Sequence, residues 1–147
     1  MSVADLVKPS VLEPTDEQAV AALFQDGSLD GLPSVIRGGA TRTVGKPVKQ
    51  PHHVLSTAKL SGIVDYEPAE MVMIAKAGTP MTEIEAALTK GRQRMIFEPM
   101  DYRPLLGTKG APTIGGVIAS NASGPRRIVT GAARDSLLGV RFVNGTG

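Results

Sequence analysis

The sequence contains no cysteine, which excludes disulfides, thiolate metal sites, cysteine nucleophiles and cysteine-held iron–sulfur clusters within this chain. It fits a reducing compartment. Tryptophan is also missing, and two tyrosines and three phenylalanines are the only aromatics, so the core must be built from Val, Ile, Leu, Ala and Met. The same scarcity removes the stacking platforms that single-stranded nucleic acid needs. With a formal charge of only +2 and one small Arg126-Arg127 patch, no nucleic-acid partner is expected. No apolar run reaches the roughly 18 residues of a bilayer-spanning helix, so no transmembrane segment is expected. The opening MSVADLVKPSVLEP carries acids and prolines instead of a basic stretch followed by a hydrophobic one, and does not read as a secretory signal. The chain reads as cytoplasmic and, at 147 residues, as about one domain.

What the sequence has is glycine in two informative places. Ser34-Val-Ile-Arg-Gly-Gly-Ala-Thr-Arg42 is a β-branched run that breaks at Gly38-Gly39, and Thr113-Ile-Gly-Gly-Val-Ile-Ala-Ser-Asn-Ala-Ser-Gly124 opens a short apolar helix with Gly115-Gly116 in its first turn. Side chains are absent where backbone amides could approach a ligand. Unpaired amides in a glycine turn or at a helix start favour anions, so both segments read as phosphate cradles, and a dinucleotide is the natural guest. Neither rival nucleotide motif fits. There is no G-x-x-x-x-G-K-[ST], and Gly38-Gly39 lacks the further glycine of G-x-G-x-x-G.

Local signals predict alternating elements. Thr15-Asp-Glu-Gln18 has capping-box spacing before an apolar face of Ala19, Val20, Leu23 and Phe24, and Gly27 supplies the stop. Strands are predicted over 34–37, 54–57, 62–66 and 71–77, with a basic loop over 43–51. Thr79 suits a helix cap and Pro80 the first helical position, while Met81, Ile84 and Leu88 share one face before Gly91. Further strands are predicted over 95–97 and 137–143, a loop over 102–112, and a hairpin turn at Asn144-Gly145. A hairpin turn without a returning strand suggests a fragment of a larger domain.

This ordered series resembles the FAD-binding domain of the vanillyl-alcohol oxidase or p-cresol methylhydroxylase type. The resemblance runs from about Val11, and its markers are Val11-Leu-Glu-Pro14, Arg37-Gly-Gly-Ala-Thr41, Ala77-Gly-Thr-Pro80, Phe97-Glu-Pro99 and Ile114-Gly-Gly-Val-Ile-Ala119. More narrowly, LSTAKLSGIVDYEPAE, IGGVIASNASGPRR and GAARDSLLGVRFVNGTG are similar to the flavin-binding E subunits of bacterial glycolate oxidases. The resemblance implies an α+β fold of two subdomains, the second incomplete here, with FAD between them. It places the diphosphate on Arg37, Gly38, Gly39, Ala40 and Thr41, and the ribityl chain and flavin edge on Thr113, Ile114, Gly115, Gly116, Ser120, Asn121, Ala122, Ser123 and Gly124, with Pro99 beside them. The family often has a third glycine at Ala40. A methyl there is tolerable with negative φ and costly with positive φ.

The resemblance further implies oxidation of a 2-hydroxy acid, glycolate to glyoxylate, in a complex with a second flavoprotein and an iron–sulfur protein. Contact with the inner membrane, if any, would come through that complex. Substrate-binding and catalytic residues would follow Gly147, so none is assigned. A non-catalytic flavin-binding or electron-relay subunit stands as the alternative.

The remaining polar residues have blander readings beside functional ones. Gly38-Gly39 alone could be a tight turn, and Gly115-Gly116 could serve close helix packing. Arg126 and Arg127 could face a flavin anion, a partner or solvent. Arg134-Asp135 reads as a structural ion pair, His52-His53 lacks neighbours at metal-ligand spacing, and Glu98 and Asp101 read as loop structure.

Overall fold

The computed structural model describes residues 8–29, 31–42, 46, 48 and 50–147. Strand β1 (Ser10–Leu12) leads into helix α1 (Glu17–Gln25), which returns the chain to β2 (Ser34–Arg37); β3 (His53–Ser56) follows. These strands form a parallel sheet in the order β1-β3-β2, with Val54 opposite Val11 on one side and Val35 on the other. The central β3 is paired on both edges and buries Val54, Leu55 and Ser56, which explains its continuous apolar run. Strands β4 (Ile63–Glu67) and β5 (Val72–Ala75) make a separate antiparallel hairpin with an irregularity at Val64. Helix α2 (Met81–Lys90), short α3 (Arg103–Leu106), α4 (Ile114–Ala119), α5 (Arg127–Thr130) and a 3₁₀ turn (Ala133–Ser136) complete the α+β arrangement.

The main core lies where α2, α4 and the 3₁₀ turn meet. Met81, Phe97, Val117, Ala122 and Ala133 are buried together, with Met95, Ile114 and Ile118 packed against them. Phe97 is the one aromatic in an otherwise aliphatic and small-residue cluster. Small residues such as Ala122 and Ala133 allow the short α4 to sit close to its neighbours.

Several local expectations are corrected. Asp16, not Thr15, caps α1: its Oδ1 accepts the Ala19 amide at 2.7 Å, since Asp16 is the residue with extended backbone immediately before the helix. Gly27 does end that helix, at φ 75°. Pro80 occupies the cap position of α2 while the Thr79 hydroxyl turns inward. The strand expected over 71–77 shortens to Val72–Ala75, and Met71 sits in the hairpin turn at φ 57°.

No strand forms over 95–97, because Phe97 turns into the core and Glu98 at φ 47° reverses the backbone. The segment 137–143 is likewise not a strand: among the described residues it has no ladder partner, and Leu138, Val140 and Phe142 are exposed. The hairpin expected at Asn144-Gly145 is also corrected: the turn is centred on Gly145-Thr146, with the Gly147 amide donating to the Asn144 carbonyl at 3.2 Å, and no strand leads into it. The 102–112 segment, expected as loop, contains α3. The basic loop over 43–51 lies largely outside the described residues.

Candidate functional site

The two glycine segments meet. A Cβ on Gly38 would lie 2.5 Å from Thr113 Oγ1, and one on Gly39 would lie 1.5 Å from the Ala111 carbonyl oxygen. Contact this close admits only glycine. It joins the end of β2 to the approach to α4 and leaves between them a cleft of about 380 Å³. The cleft walls are the end of β2, the loop 38–42, Pro112-Thr113, and the Gly116, Val117, Ala119 and Ser120 side of α4.

The first loop carries the donors. Among the described residues, the amides of Gly38, Gly39, Ala40 and Thr41 have no backbone acceptor. The Thr108 hydroxyl donates to the Thr41 carbonyl at 3.0 Å and ties the loop down without occupying those amides. Four successive donors with little side-chain cover make an anion-accepting turn.

The start of α4 is different, and the expectation of a second amide cradle is corrected here. The Ile114 amide donates to Thr79 O at 3.0 Å, the Gly115 amide to Ala77 O at 2.9 Å and the Val117 amide to Thr113 O at 3.0 Å. The Gly116 amide donates to the capping Thr113 Oγ1 at 3.4 Å. The first-turn donors are spent on the protein. Gly115 is there for packing, because a Cβ on it would lie 2.7 Å from Ala77 O. Gly116, by contrast, faces the cleft, and a methyl placed on it would meet only Thr113 Oγ1, at 3.4 Å.

Of the residues anticipated from sequence, Arg37, Gly38, Gly39, Ala40, Thr41, Thr113, Gly116 and Ser120 line this cleft. Ile114 and Gly115 stand just behind it. The others are engaged elsewhere. Asn121 Oδ1 accepts the Arg134 amide at 3.0 Å, Ser123 Oγ accepts the Ala133 amide at 2.9 Å, Ala122 is buried in the core, and Gly124 abuts the Glu98 carbonyl. Pro99 is half-buried in the adjoining loop, outside the cleft lining.

Arg42 is a cleft residue to which the sequence alone assigns no role. Its guanidinium reaches Ser120 Oγ, donates to Met100 O at 3.2 Å and stacks 4.2 Å above the Tyr102 ring. The only local signal for it is its place directly after Thr41. The neighbouring charges are accounted for. Arg126 pairs with Glu98 at 3.1 Å, and Asp135 accepts the Ala132 amide at 2.8 Å besides lying 3.6 Å from Arg134. Hydrogen bonds from the Arg103 side chain and backbone hold the Asp101 carboxyl below the usual carboxylate range.

A larger hollow of about 500 Å³ lies between the β4–β5 hairpin and α2, walled by Ile63, Tyr66, Pro68, Ala86 and Ala87. Among the described residues its charged groups are Glu83 and Lys90, one of each sign, in place of a row of amides. Anion chemistry therefore points to the glycine cleft, despite its smaller size.

An α+β domain with a side-chain-poor, donor-rich cleft suits a nucleotide cofactor. The chain belongs to the FAD binding domain family, which matches residues 9–147. It is 37% identical to glycolate oxidase subunit GlcE of Escherichia coli K12 over 88% of this chain and 35% of that protein. It is 29% identical to the D-2-hydroxyglutarate dehydrogenase of the same organism, over 97% of this chain and 14% of that one. Among solved structures, alkyldihydroxyacetonephosphate synthase superposes with a TM-score of 0.72 at 21% identity, covering 93% of this chain and 27% of that one. The chain thus spans about a third of the GlcE length. Its cofactor is FAD. Among the described residues, no helix is long and apolar enough to cross a membrane.

Proposed function

We propose that this chain is the FAD-binding part of a flavoprotein subunit that oxidises a 2-hydroxy acid, glycolate to glyoxylate, within a complex containing a second flavoprotein and an iron–sulfur protein. The carrying observation is the loop Gly38-Gly39-Ala40-Thr41, whose amides have no acceptor among the described residues and which lies across one cleft from the Gly116–Ser120 side of α4. The 37% identity to a glycolate oxidase subunit supports the substrate class.

The residues fit FAD. Four amides without an acceptor among the described residues suit the diphosphate, and the glycine contacts keep the backbone within reach of it. Thr113, Gly116 and Ser120 would flank the ribityl chain and flavin edge. Ile114, Gly115 and residues 121–124, with Pro99, would act behind them by fixing the position of α4. When bound, the flavin supplies the two-electron acceptor for oxidation of the hydroxyl-bearing carbon. This chain's part is to hold and orient the cofactor and to limit its exposure to water. These 147 residues contain no cysteine, so cysteine-ligated iron–sulfur chemistry lies outside them.

The test is the visible spectrum of the full-length protein with its neighbouring subunits, before and after anaerobic addition of glycolate. Flavin bands that bleach with glycolate are expected. Bands that persist would favour an electron-relay or assembly role, and missing bands would defeat the cofactor assignment.

A further inference from the structure

Arg42 is held on several sides, and one of its nitrogens has no partner. One terminal nitrogen meets Ser120 Oγ, the other donates to Met100 O at 3.2 Å, and the planar face lies 4.2 Å from the Tyr102 ring centre. Its Nε is buried and meets no acceptor. Among the described residues, no carboxylate forms an ion pair with it; the ion pairs seen use Lys59, Arg103, Arg126, Arg134 and Arg141. A partly buried cation with neither counter-charge nor full hydrogen bonding is costly.

Arg42 lines the cleft together with residues 38–41, whose amides have no acceptor among the described residues. Those amides offer partial charges only, whereas a diphosphate brings full negative charge. Among the described residues, Arg42 is the one cation lining the cleft besides Arg37, which lies at the exposed end of β2. Its three attachments also fix the guanidinium in place, so little freedom remains to be lost when an anion arrives.

We infer that Arg42 is a cofactor-binding residue, supplying the counter-charge for the FAD diphosphate while its ties to Ser120, Met100 and Tyr102 hold the guanidinium in position. This rests on the FAD reading of the cleft. A purely structural arginine, bridging the first loop to the end of α4, would leave phosphate recognition untouched. The two roles separate by ligand, because riboflavin lacks the phosphates and ADP lacks the flavin.

The experiment measures FAD, ADP and riboflavin affinity in the full-length protein freed of flavin, by fluorescence and competition, for wild type, R42M, R42Q and R42K. Thermal melting establishes which variants fold. The expected result is an affinity loss of about tenfold to a hundredfold for FAD and ADP in R42M and R42Q, with riboflavin changed by less than about twofold. R42K, which keeps the charge, recovers part of the loss. Equal losses for FAD and riboflavin, or unchanged FAD affinity in R42Q, overturn the assignment. A wild-type protein that binds neither FAD nor ADP overturns it together with the FAD reading.

Discussion

Gly39 and Ala111 touch backbone to backbone: a Cβ on Gly39 would fall 1.5 Å from the Ala111 carbonyl oxygen, and reciprocally one on Gly110 would fall 1.6 Å from the Gly39 carbonyl oxygen. Both obstacles are main chain, so no rotamer change relieves them. Gly39→Ala must part the first glycine loop from the segment leading into α4, and with it the two walls of the cleft. The expected cost is about 3 kcal/mol or more, at the high end of overpacking. Chemical denaturation of wild type and variant checks it, and a loss under about 1 kcal/mol would contradict the contact.

Ala40, the next residue, sits in the left-handed region at φ 52°. A side chain there costs roughly 1–2 kcal/mol, while glycine restores about 0.4–1 kcal/mol of unfolded-state freedom. Ala40→Gly should therefore stabilise the protein by about 0.5–1 kcal/mol. It should not weaken FAD binding, since the amides are unchanged. Denaturant midpoints and FAD titration check both parts. A destabilised Ala40→Gly protein would mean that the loop takes a different backbone.

The departure at Ala40 is visible in the sequence, but its cost cannot be read until φ is known. The same division runs through the molecule. β2, α2 and α4 are legible because their signals are local: a β-branched run ending in glycines, Met81 and Ile84 one turn apart, and Thr113 before an apolar hexapeptide. The predicted strands at 95–97 and 137–143 fail because strand formation needs a partner from elsewhere, which composition does not reveal. Likewise the glycines of α4 look like a cradle, and only the positions of Ala77 and Thr79 show that the first-turn amides are already taken. Arg42 is hidden for the same reason, since Ser120 and Met100 are distant in sequence.

Thr79 shows how a misplaced cap can become a more specific expectation. The residue is fully buried, its hydroxyl donates to Lys76 O at 2.7 Å and accepts the Gly62 amide at 2.9 Å. Lys76 O also receives the Thr79 amide, so removal of the hydroxyl strands the Gly62 N–H more than the carbonyl. Thr79→Val, close in shape, should cost about 1–2 kcal/mol by leaving that part-buried donor unpaired. Thr79→Ser keeps the hydroxyl and should retain most of the hydrogen-bond contribution. Equal stabilities of the Val variant and wild type by denaturant unfolding would refute this role.

Gly115 and Gly116 are adjacent, yet the structure gives them opposite reasons to be glycine. A methyl on Gly115 would lie 2.7 Å from Ala77 O and 2.8 Å from Ala77 Cβ, where the Gly115 amide is already bonded to that same carbonyl. Gly115→Ala should destabilise by about 1–3 kcal/mol through overpacking. A methyl on Gly116 meets only Thr113 Oγ1 at 3.4 Å and projects toward the cleft. Gly116→Ala should therefore gain up to about 1 kcal/mol of helix propensity and raise the melting temperature. The same methyl should lower FAD affinity about tenfold by occupying cofactor space, within the range for a single carbon in a fitted pocket. A variant that melts higher but binds FAD less tightly separates function from packing at this position. If Gly116→Ala binds FAD as wild type does, the flavin does not use this side of α4, and the placement of the cofactor against Gly116 is wrong.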